Sequence, residues 1–397
     1  MRPLPITAFT ATSCLGTGTA AHFAGLAAGR SGLTPCAFED VALETWIGKV
    51  DGLEAVAIPV RLADYACRNN RLALLALGQD GFEAAVAACV RRLGATRVGL
   101  FLGTSTSGIL ETELAYRRLD PATGALPPDF HYAGSHNVYS VAAFARAVLG
   151  LEGPAAVVST ACSSSAKVFA AAARLIELGV IDAAVVGGVD TLCLTTLYGF
   201  HSLQLTAPKP CRPFSADRDG ISIGEAAAFV LLERAAGSAS AALLGVGESN
   251  DGYHLSSPHP DGLGARLAMQ AALASAGLPS DAVDYVNLHG TATPSNDSAE
   301  GAAVAAVVGT RVPSSSTKGA TGHALGAAGA LEAVVSLLAL DHGLVPGGAN
   351  TVAADPALPV NYVTRSYAAP LRRVLSNSFG FGGSNCSLLL GRAGGAT

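Results

Sequence analysis

Alanine-rich stretches with helical spacing alternate with short valine-rich runs along most of this chain, and that alternation leaves few folds open. Leu72 to Leu93 is followed by VGLFLG at 98–103, Val168 to Leu178 by AAVVGG at 183–188, and Ala265 to Ala276 by YVNLHG at 285–290. Short apolar, β-branched runs of this kind are strands buried on both faces, with the intervening helices as their cover. The pattern predicts an α/β protein with largely buried sheets. A faint repeat adds to it. VGLFLGTST at 98–106 and YVNLHGTAT at 285–293 both run an apolar strand into Gly-Thr-x-Thr. Two similar halves are expected, one over residues 1–240 and one over 241–397, meeting in RAAGSASAALL at 234–244. Between the first echo and the next strand, Ala115 to Ser140 is rich in Pro, Gly, Asp, His and Tyr. It reads as a loop excursion, where substrate or subunit contacts collect.

Composition removes several classes of function. With 397 residues, 50% hydrophobic and only 14% charged, the chain buries a large core and is not disordered. A formal net charge of −5 without a long Lys/Arg cluster leaves no electrostatic footprint for nucleic acid. None of the eight cysteines falls in a CxxC pair, and neither His131/His136 nor His254/His259 sits beside further ligands at metal-binding spacing. Reduced thiols, a cytoplasmic location and no metal are expected. The mean hydropathy of +0.40 raises the question of a membrane span. The uncharged run Thr191–Pro208 carries Thr, Ser, Gln, His and Tyr throughout and is too polar to cross a bilayer. No membrane span is expected, and MRPLPITAFTATSCLG lacks the apolar core of a signal peptide.

One short stretch points to chemistry. VVSTACSSSA at 157–166 places Cys162 between a strand-like AAVV and a helix-like SSSAKVFAAAARLIEL. A thiol at a helix N-terminus feels the positive end of the macrodipole, which favours the nucleophilic thiolate. A lone buried cysteine is more often structural than catalytic, so partners decide the matter. NLHGTATPSND sets His289 at a strand end before a Gly-Thr loop. SSSTKGATGHALGAAGALEA sets Lys318 before a Gly-rich turn, with His323 and Glu332 following. NSFGFGGSN at 377–385 is a glycine-dense loop able to bring backbone N–H groups to a ligand. Singly, each reads as a core histidine, a surface lysine or a tight turn; together they form a poor set of accidents.

The segments TACSSSA, HGTATPSND, STKGATGHALGAAGALE and NSFGFGGSN closely resemble the signature blocks of the elongating β-ketoacyl-(acyl carrier protein) synthases of the thiolase superfamily. RPFSADRDGISIGEAAAFVLLE at 212–233 resembles their RPFD-x-x-RDG-x-x-x-GE block. The resemblance implies a five-layered αβαβα thiolase-like fold. It also implies an acyltransferase without a cofactor, which loads an acyl chain on Cys162 and extends it with malonyl carrier. In that reading His289 and His323 stabilise the charge of decarboxylation, Lys318 orients them, and Glu332 anchors Lys318. Backbone N–H groups of Cys162 and Phe381 form an oxyanion hole, and Phe381 is a gate. Thr291, Thr293 and Gly382 would bind substrate; Thr106, Ser107 and His136 would shape the tunnel floor. Basic docking residues for an acidic carrier would be Arg68 and Arg71, with Arg117 and Arg118 second. The partners implied are acyl carrier protein and a second subunit, either a copy of this chain or a chain-length-factor-like protein.

The His/His pair resembles the elongating branch, since initiating relatives pair His with Asn, and the retained Cys162 resembles the catalytic subunit. Degradative thiolases use a second cysteine as base, a tunnel-shaping subunit lacks the nucleophile, and a cysteine hydrolase orients its base with Asp or Asn. All three fit less well. The chain departs from the family in the SSS after Cys162 and in Ala226 of GEAA. These leave the subfamily open, with the wording of TACSSSAKVFA and DTLCLTTLYGFHSLQL similar to synthases of aryl polyene clusters.

Overall fold

The computed structural model of the protein describes residues 1–236 and 239–393. Ten strands carry the fold, five from each half. The first five are β1 (Leu4–Ser13), β2 (Val98–Gly103), β3 (Ala155–Val158), β4 (Ala183–Asp190) and β5 (Ala226–Glu233). The second five are β6 (Ala241–Asn250), β7 (Tyr285–Asn287), β8 (Pro313–Ser315), β9 (Arg373–Gly380) and β10 (Ser384–Arg392). They lie in the orders β3-β2-β4-β5-β1 and β8-β7-β9-β10-β6. Counted within its own half, each set runs 3-2-4-5-1, with strand 2 parallel to strands 3 and 4 and strand 5 antiparallel to both its neighbours. The sequence echo falls on strand 2 of each half. The two sets join edge to edge, where Leu4, Pro5 and Ile6 pair antiparallel with Leu243, Ala242 and Ala241.

Helices fill three further layers, and nine helices bear on the fold and the site. These are α1 (Arg68–Leu77), α2 (Phe82–Leu93), α3 (Ser140–Leu149), α4 (Ser164–Glu177), α5 (Leu194–Ser202), α6 (Leu263–Ala276), α7 (Pro294–Val308), α8 (Lys318–Thr321) and α9 (Ala328–His342). Side chains alternate across the strands with a period of two, so each strand feeds two cores. Leu100 and Leu102 of β2 pack with Leu72, Phe82 and Phe144 under the outer helices α1–α3. Phe101 between them faces inward, in one cluster with Phe169 of α4, Val334 of α9 and Leu388 of β10. On the far side Leu375 and Leu389 meet Met269 of α6 and Val304 of α7. The layers are therefore α1–α3, first sheet, α4 and α9, second sheet, α6 and α7: the thiolase-like αβαβα arrangement.

The central layer is tight because small residues line it. A Cβ on Gly103 would lie 2.3 Å from the Ser165 nitrogen, and one on Gly188 would lie 2.5 Å from the Ser165 Cβ. Only glycine lets the first turn of α4 rest on the ends of β2 and β4, and that contact places Cys162. Among the described residues, Leu325–His342 has the length and apolarity of a membrane span, but 89% of it is buried in this central layer. The helical stretch Leu72–Leu93 is divided between α1 and α2, which meet at 75°. Asp80 and Gly81 at the corner both take positive φ, 54° and 68°, a conformation that ends a right-handed helix.

Candidate active site

Cys162 lies between the end of β3 at Val158 and the start of α4 at Ser164. Ala161 before it takes the left-handed conformation, φ 52°, which turns the chain sharply from strand to helix. The three serines after it hold that turn. Ser163 Oγ donates to the Thr160 carbonyl at 2.9 Å, and Ser164 Oγ accepts from the Thr160 N–H at 2.8 Å and donates to the Ala161 carbonyl at 2.5 Å. Ser165 Oγ accepts from the Ala330 N–H at 2.9 Å and so pins α4 to the first turn of α9. SSS is thus the local scaffold of the nucleophile.

The second half brings its residues to the same point. His323 Nε2 is 2.9 Å from Cys162 Sγ. The His289 ring stands edge-on to that of His323, at 5.4 Å between centroids and 83° between planes. Lys318 is buried and donates to the His289 carbonyl and to Glu332 Oε1, while its Nζ lies 3.5 Å from His289 Nδ1. An ammonium only donates, so His289 Nδ1 must accept and the ring proton sits on Nε2. Lys318 therefore selects a tautomer with its N–H turned away from the lysine.

Burial dominates the electrostatics. It pushes the Cys162 thiol up to about 12, against the pull of the Lys318 charge and with help from Asp190 and Glu332. The expected resting thiolate is corrected accordingly: the helix N-terminus does not offset the loss of water, and the group rests as a thiol. Both imidazoles are held well below their ordinary value by burial first and Lys318 second, so both are neutral. Burial raises the Glu332 carboxyl to about 7, with Lys318 opposing.

Two supporting carboxylates escaped the sequence reading. Glu300 of α7 accepts from the N–H groups of His289 (2.8 Å) and Gly290 (2.7 Å) and so fixes the backbone of the histidine. Asp190, the last residue of β4, is fully buried and accepts from six donors. These are the N–H and hydroxyl of Ser105 and of Thr106, the Thr104 hydroxyl and the Gly326 N–H, at 2.5–3.0 Å. It ties the exit of β2 to the turn that carries His323. A carboxylate ending a strand as apolar as AAVVGGVD was the signal for it. Glu300 gave none, being one polar residue among several on its helix.

A cavity of about 60 Å³ opens over the centre and is lined by Cys162, His289, His323, Thr291, Thr293 and Phe381 among others. Thr291 and Thr293 share a 2.9 Å hydrogen bond at its wall. Phe381 meets Phe200 of α5 at 5.8 Å between centroids. The GFGG loop lies against the nucleophile turn, with Gly380 where a Cβ would meet the Thr160 carbonyl at 2.9 Å. The loop around Ser256–Pro258, also unforeseen, forms part of the wall.

Other expected site residues lie elsewhere. Gly382 is outside the cavity lining, its N–H donated to the Leu255 carbonyl at 2.6 Å. Thr106 spends its hydroxyl on Asp190, Ser107 donates to the carbonyls of Ser135 and Asn137, and His136 Nδ1 pairs with the Thr112 hydroxyl at 2.7 Å. None of the three lines the cavity. Arg68 requires a correction as a docking residue. Its side chain is only 7% exposed, forked onto Glu225 at 2.9 and 2.5 Å, bonded to Glu54, and stacked over Phe38. A guanidinium satisfied inside the fold offers nothing to a carrier. Arg71 is half-buried and donates to the Val56 carbonyl, whereas Arg117 and Arg118 are exposed and paired with Asp40 and Asp129.

Comparison with known proteins gives a consistent result. Residues 55–237 match the family described as "Beta-ketoacyl synthase, N-terminal domain", and residues 240–351 match "Beta-ketoacyl synthase, C-terminal domain". The chain is 40% identical over 261 residues to the mitochondrial 3-oxoacyl-[acyl-carrier-protein] synthase of Arabidopsis thaliana; that match spans 60% of this chain and only 57% of the plant protein. It is 34% identical over 403 residues to nodulation protein E of Rhizobium meliloti (strain 1021), covering 98% of both chains. Among solved structures it is similar to the ketosynthase ApeO of Xenorhabdus doucetiae, determined in complex with its chain length factor ApeC. The TM-score is 0.91 and the identity 39%, over 99% of this chain and 98% of that one.

Proposed function

Because this chain belongs to the β-ketoacyl synthase family, we propose that it performs a decarboxylative Claisen condensation on acyl groups delivered by a carrier protein. The first half-reaction is acyl transfer. Cys162 Sγ attacks the carrier thioester, the carbonyl carbon exchanges its carrier sulfur for Sγ, and the thiol proton leaves with the carrier thiol. His323 Nε2, at 2.9 Å from Sγ, is placed to relay that proton. The backbone N–H groups of Cys162 and Phe381 take the oxyanion of this step.

In the second half-reaction a malonyl carrier enters, its C–CO2⁻ bond breaks, and the electron pair moves onto the thioester as an enolate. The enolate carbon then attacks the acyl-Cys162 carbonyl, which releases Sγ and gives a β-ketoacyl carrier longer by two carbons. Neutral imidazoles with N–H donors suit the enolate oxygen, because they stabilise developing charge without surrendering a proton. Lys318 fixes the donor tautomer of His289, and Glu332 anchors Lys318. The chemistry calls for no cofactor.

The observation that carries this reading is the meeting of Cys162 from one half with His289, Lys318 and His323 from the other. It favours a catalytic subunit over one that only shapes a partner's tunnel. Likeness to a ketosynthase in complex with its chain length factor supports a heterodimer with such a subunit and an aryl-polyene type of pathway. Arg71, Arg117 and Arg118 remain the basic groups for docking an acidic carrier. Eight cysteines without a disulfide support a cytoplasmic site of action.

Intact-protein mass spectrometry tests the proposal. Wild type mixed with acyl carrier gains one acyl mass that Cys162→Ala does not, and malonyl carrier then discharges it as a product two carbons longer. Absence of any adduct, with or without a chain-length-factor partner, would overturn the proposal in favour of the tunnel-shaping role.

A further inference from the structure

The condensing centre is also a set of metal donors. Cys162, His289 and His323 each present one donor atom, and the three lie within 4.8 Å of one another. Sγ and the His323 Nε2 are already 2.9 Å apart. A tetrahedral Zn²⁺ with bonds of about 2.3 Å to sulfur and about 2.0 Å to nitrogen holds its ligands roughly 3–4 Å apart. Small side-chain rotations would close the set. One sulfur and two imidazoles select zinc and cadmium over magnesium and calcium, which take oxygen ligands. All three residues line the same cavity, which leaves space beside the donors for a fourth ligand.

We infer that these three residues form an inhibitory site for a thiophilic divalent cation in the enzyme that carries no acyl chain, and that Lys318 limits its affinity. On binding, the S–H bond breaks, a metal–sulfur bond forms, the proton passes to solvent, and each imidazole gives one lone pair in place of a hydration water. Lys318 opposes this in two ways. Its ammonium repels the incoming charge. It also faces His289 Nδ1 at 3.5 Å, so His289 can ligate through Nε2 only by moving its proton to Nδ1, against a group that cannot accept it. An acyl chain on Sγ removes the sulfur ligand, so metal and acyl group exclude each other. The lysine that sets the histidine for decarboxylation thereby also keeps the thiol from being captured by metal. This regulatory role rests on the condensing activity proposed above, but metal binding is measured without it.

The test is Cd²⁺ titration of the whole chain, followed by the ultraviolet thiolate-to-cadmium band and by calorimetric stoichiometry, for wild type, Cys162→Ala, His323→Ala and Lys318→Met. In parallel, alkylation of Cys162 by iodoacetamide is followed by peptide mass spectrometry with and without Zn²⁺. Wild type should bind one equivalent more than Cys162→Ala or His323→Ala, and Lys318→Met should bind that equivalent at least about tenfold more tightly. Zn²⁺ at a hundred times its dissociation constant should slow alkylation about 100-fold. Equal stoichiometry in wild type and Cys162→Ala, or alkylation indifferent to Zn²⁺, overturns the inference. Weaker or unchanged binding in Lys318→Met overturns the role of the lysine. A chain that binds metal here yet never condenses acyl groups leaves this site standing and sinks the proposed function instead.

Discussion

Asp190→Asn separates what Asp190 does for the fold from what it does for the nucleophile. The amide keeps one oxygen for the Ser105, Thr106 and Thr104 donors now on Oδ1. Its NH2 replaces Oδ2, which accepts from the Gly326 N–H at 2.5 Å and from the Ser105 hydroxyl at 2.6 Å; the Gly326 N–H is left with a long 3.3 Å bond to Ser105 Oγ. Weakening the bond of a buried N–H costs about 1–3 kcal/mol, and turning bonds to a charged acceptor into neutral ones removes about 1 kcal/mol more. Relief of a buried charge works the other way. It is the smaller effect here, because six donors already solvate the carboxylate. The variant should lose about 3 kcal/mol in urea unfolding, followed by the single tryptophan, Trp46. The nucleophile should move in the opposite direction. The Asp190 charge is among the causes that hold the Cys162 thiol up, so without it Cys162 should ionise at lower pH and alkylate faster at fixed pH. Stability within about 0.5 kcal/mol of wild type, or alkylation no faster, would refute this account of a preorganised carboxylate cradle.

Three further outcomes follow from the geometry. Lys318→Met strands Glu332 in the interior and should cost about 3–5 kcal/mol; adding Glu332→Leu should recover part of it, while Cys162 still accepts an acyl group and CO2 release from malonyl carrier falls, as read by acyl-adduct mass and CO2 assay. Phe381→Ala removes the ring that meets Phe200 and walls the cavity, so the acyl-Cys162 adduct should hydrolyse faster by timed mass spectrometry. Burial raises all eight thiols, so above pH 9 the unfolded chain sheds protons that the folded one keeps. Stability should be intact below about pH 9 and then fall steeply as pH rises, and a reduced sample that stays folded well above about pH 10 would contradict it.

Local pattern made much of this molecule legible. The apolar runs marked β2, β3, β4 and β7, whereas β8 and β9 escaped that pattern because they carry buried polar residues, Ser314 and Ser315 in one and Ser376, Asn377 and Ser378 in the other. The Gly-Thr-x-Thr echo marked strand 2 of each half, and Cys162, His289, Lys318 and His323 stood out as polar residues at strand ends among small neighbours. The misses among the site residues have one cause: the decisive contacts join distant parts of the chain. Arg68 reads as a surface arginine until Glu225 closes on it. Thr106 reads as a tunnel residue until Asp190 takes its hydroxyl. The thiolate expected of Cys162 weighed one helix terminus and left out the desolvation imposed by the opposite half.

The duplicated topology accounts for how the proposed reaction would run in so dry a place. Cys162 follows strand 3 of the first half and precedes α4, while Lys318 follows strand 3 of the second and opens α8, after which the chain reaches α9 at Ala328. Helices α4 and α9 begin side by side: a Cβ on Gly329 would lie 2.6 Å from the Ala166 nitrogen. Two helix N-termini thus point their positive ends at one site, with the Lys318 ammonium between the halves. That field is too weak to ionise the resting thiol against burial. In the proposed condensation it would act on the enolate and the departing thiolate, whose charge exists only during the reaction. In the resting centre the thiol and both imidazoles are neutral, and in the proposed reaction the stabilisation would appear with the transition state rather than before it.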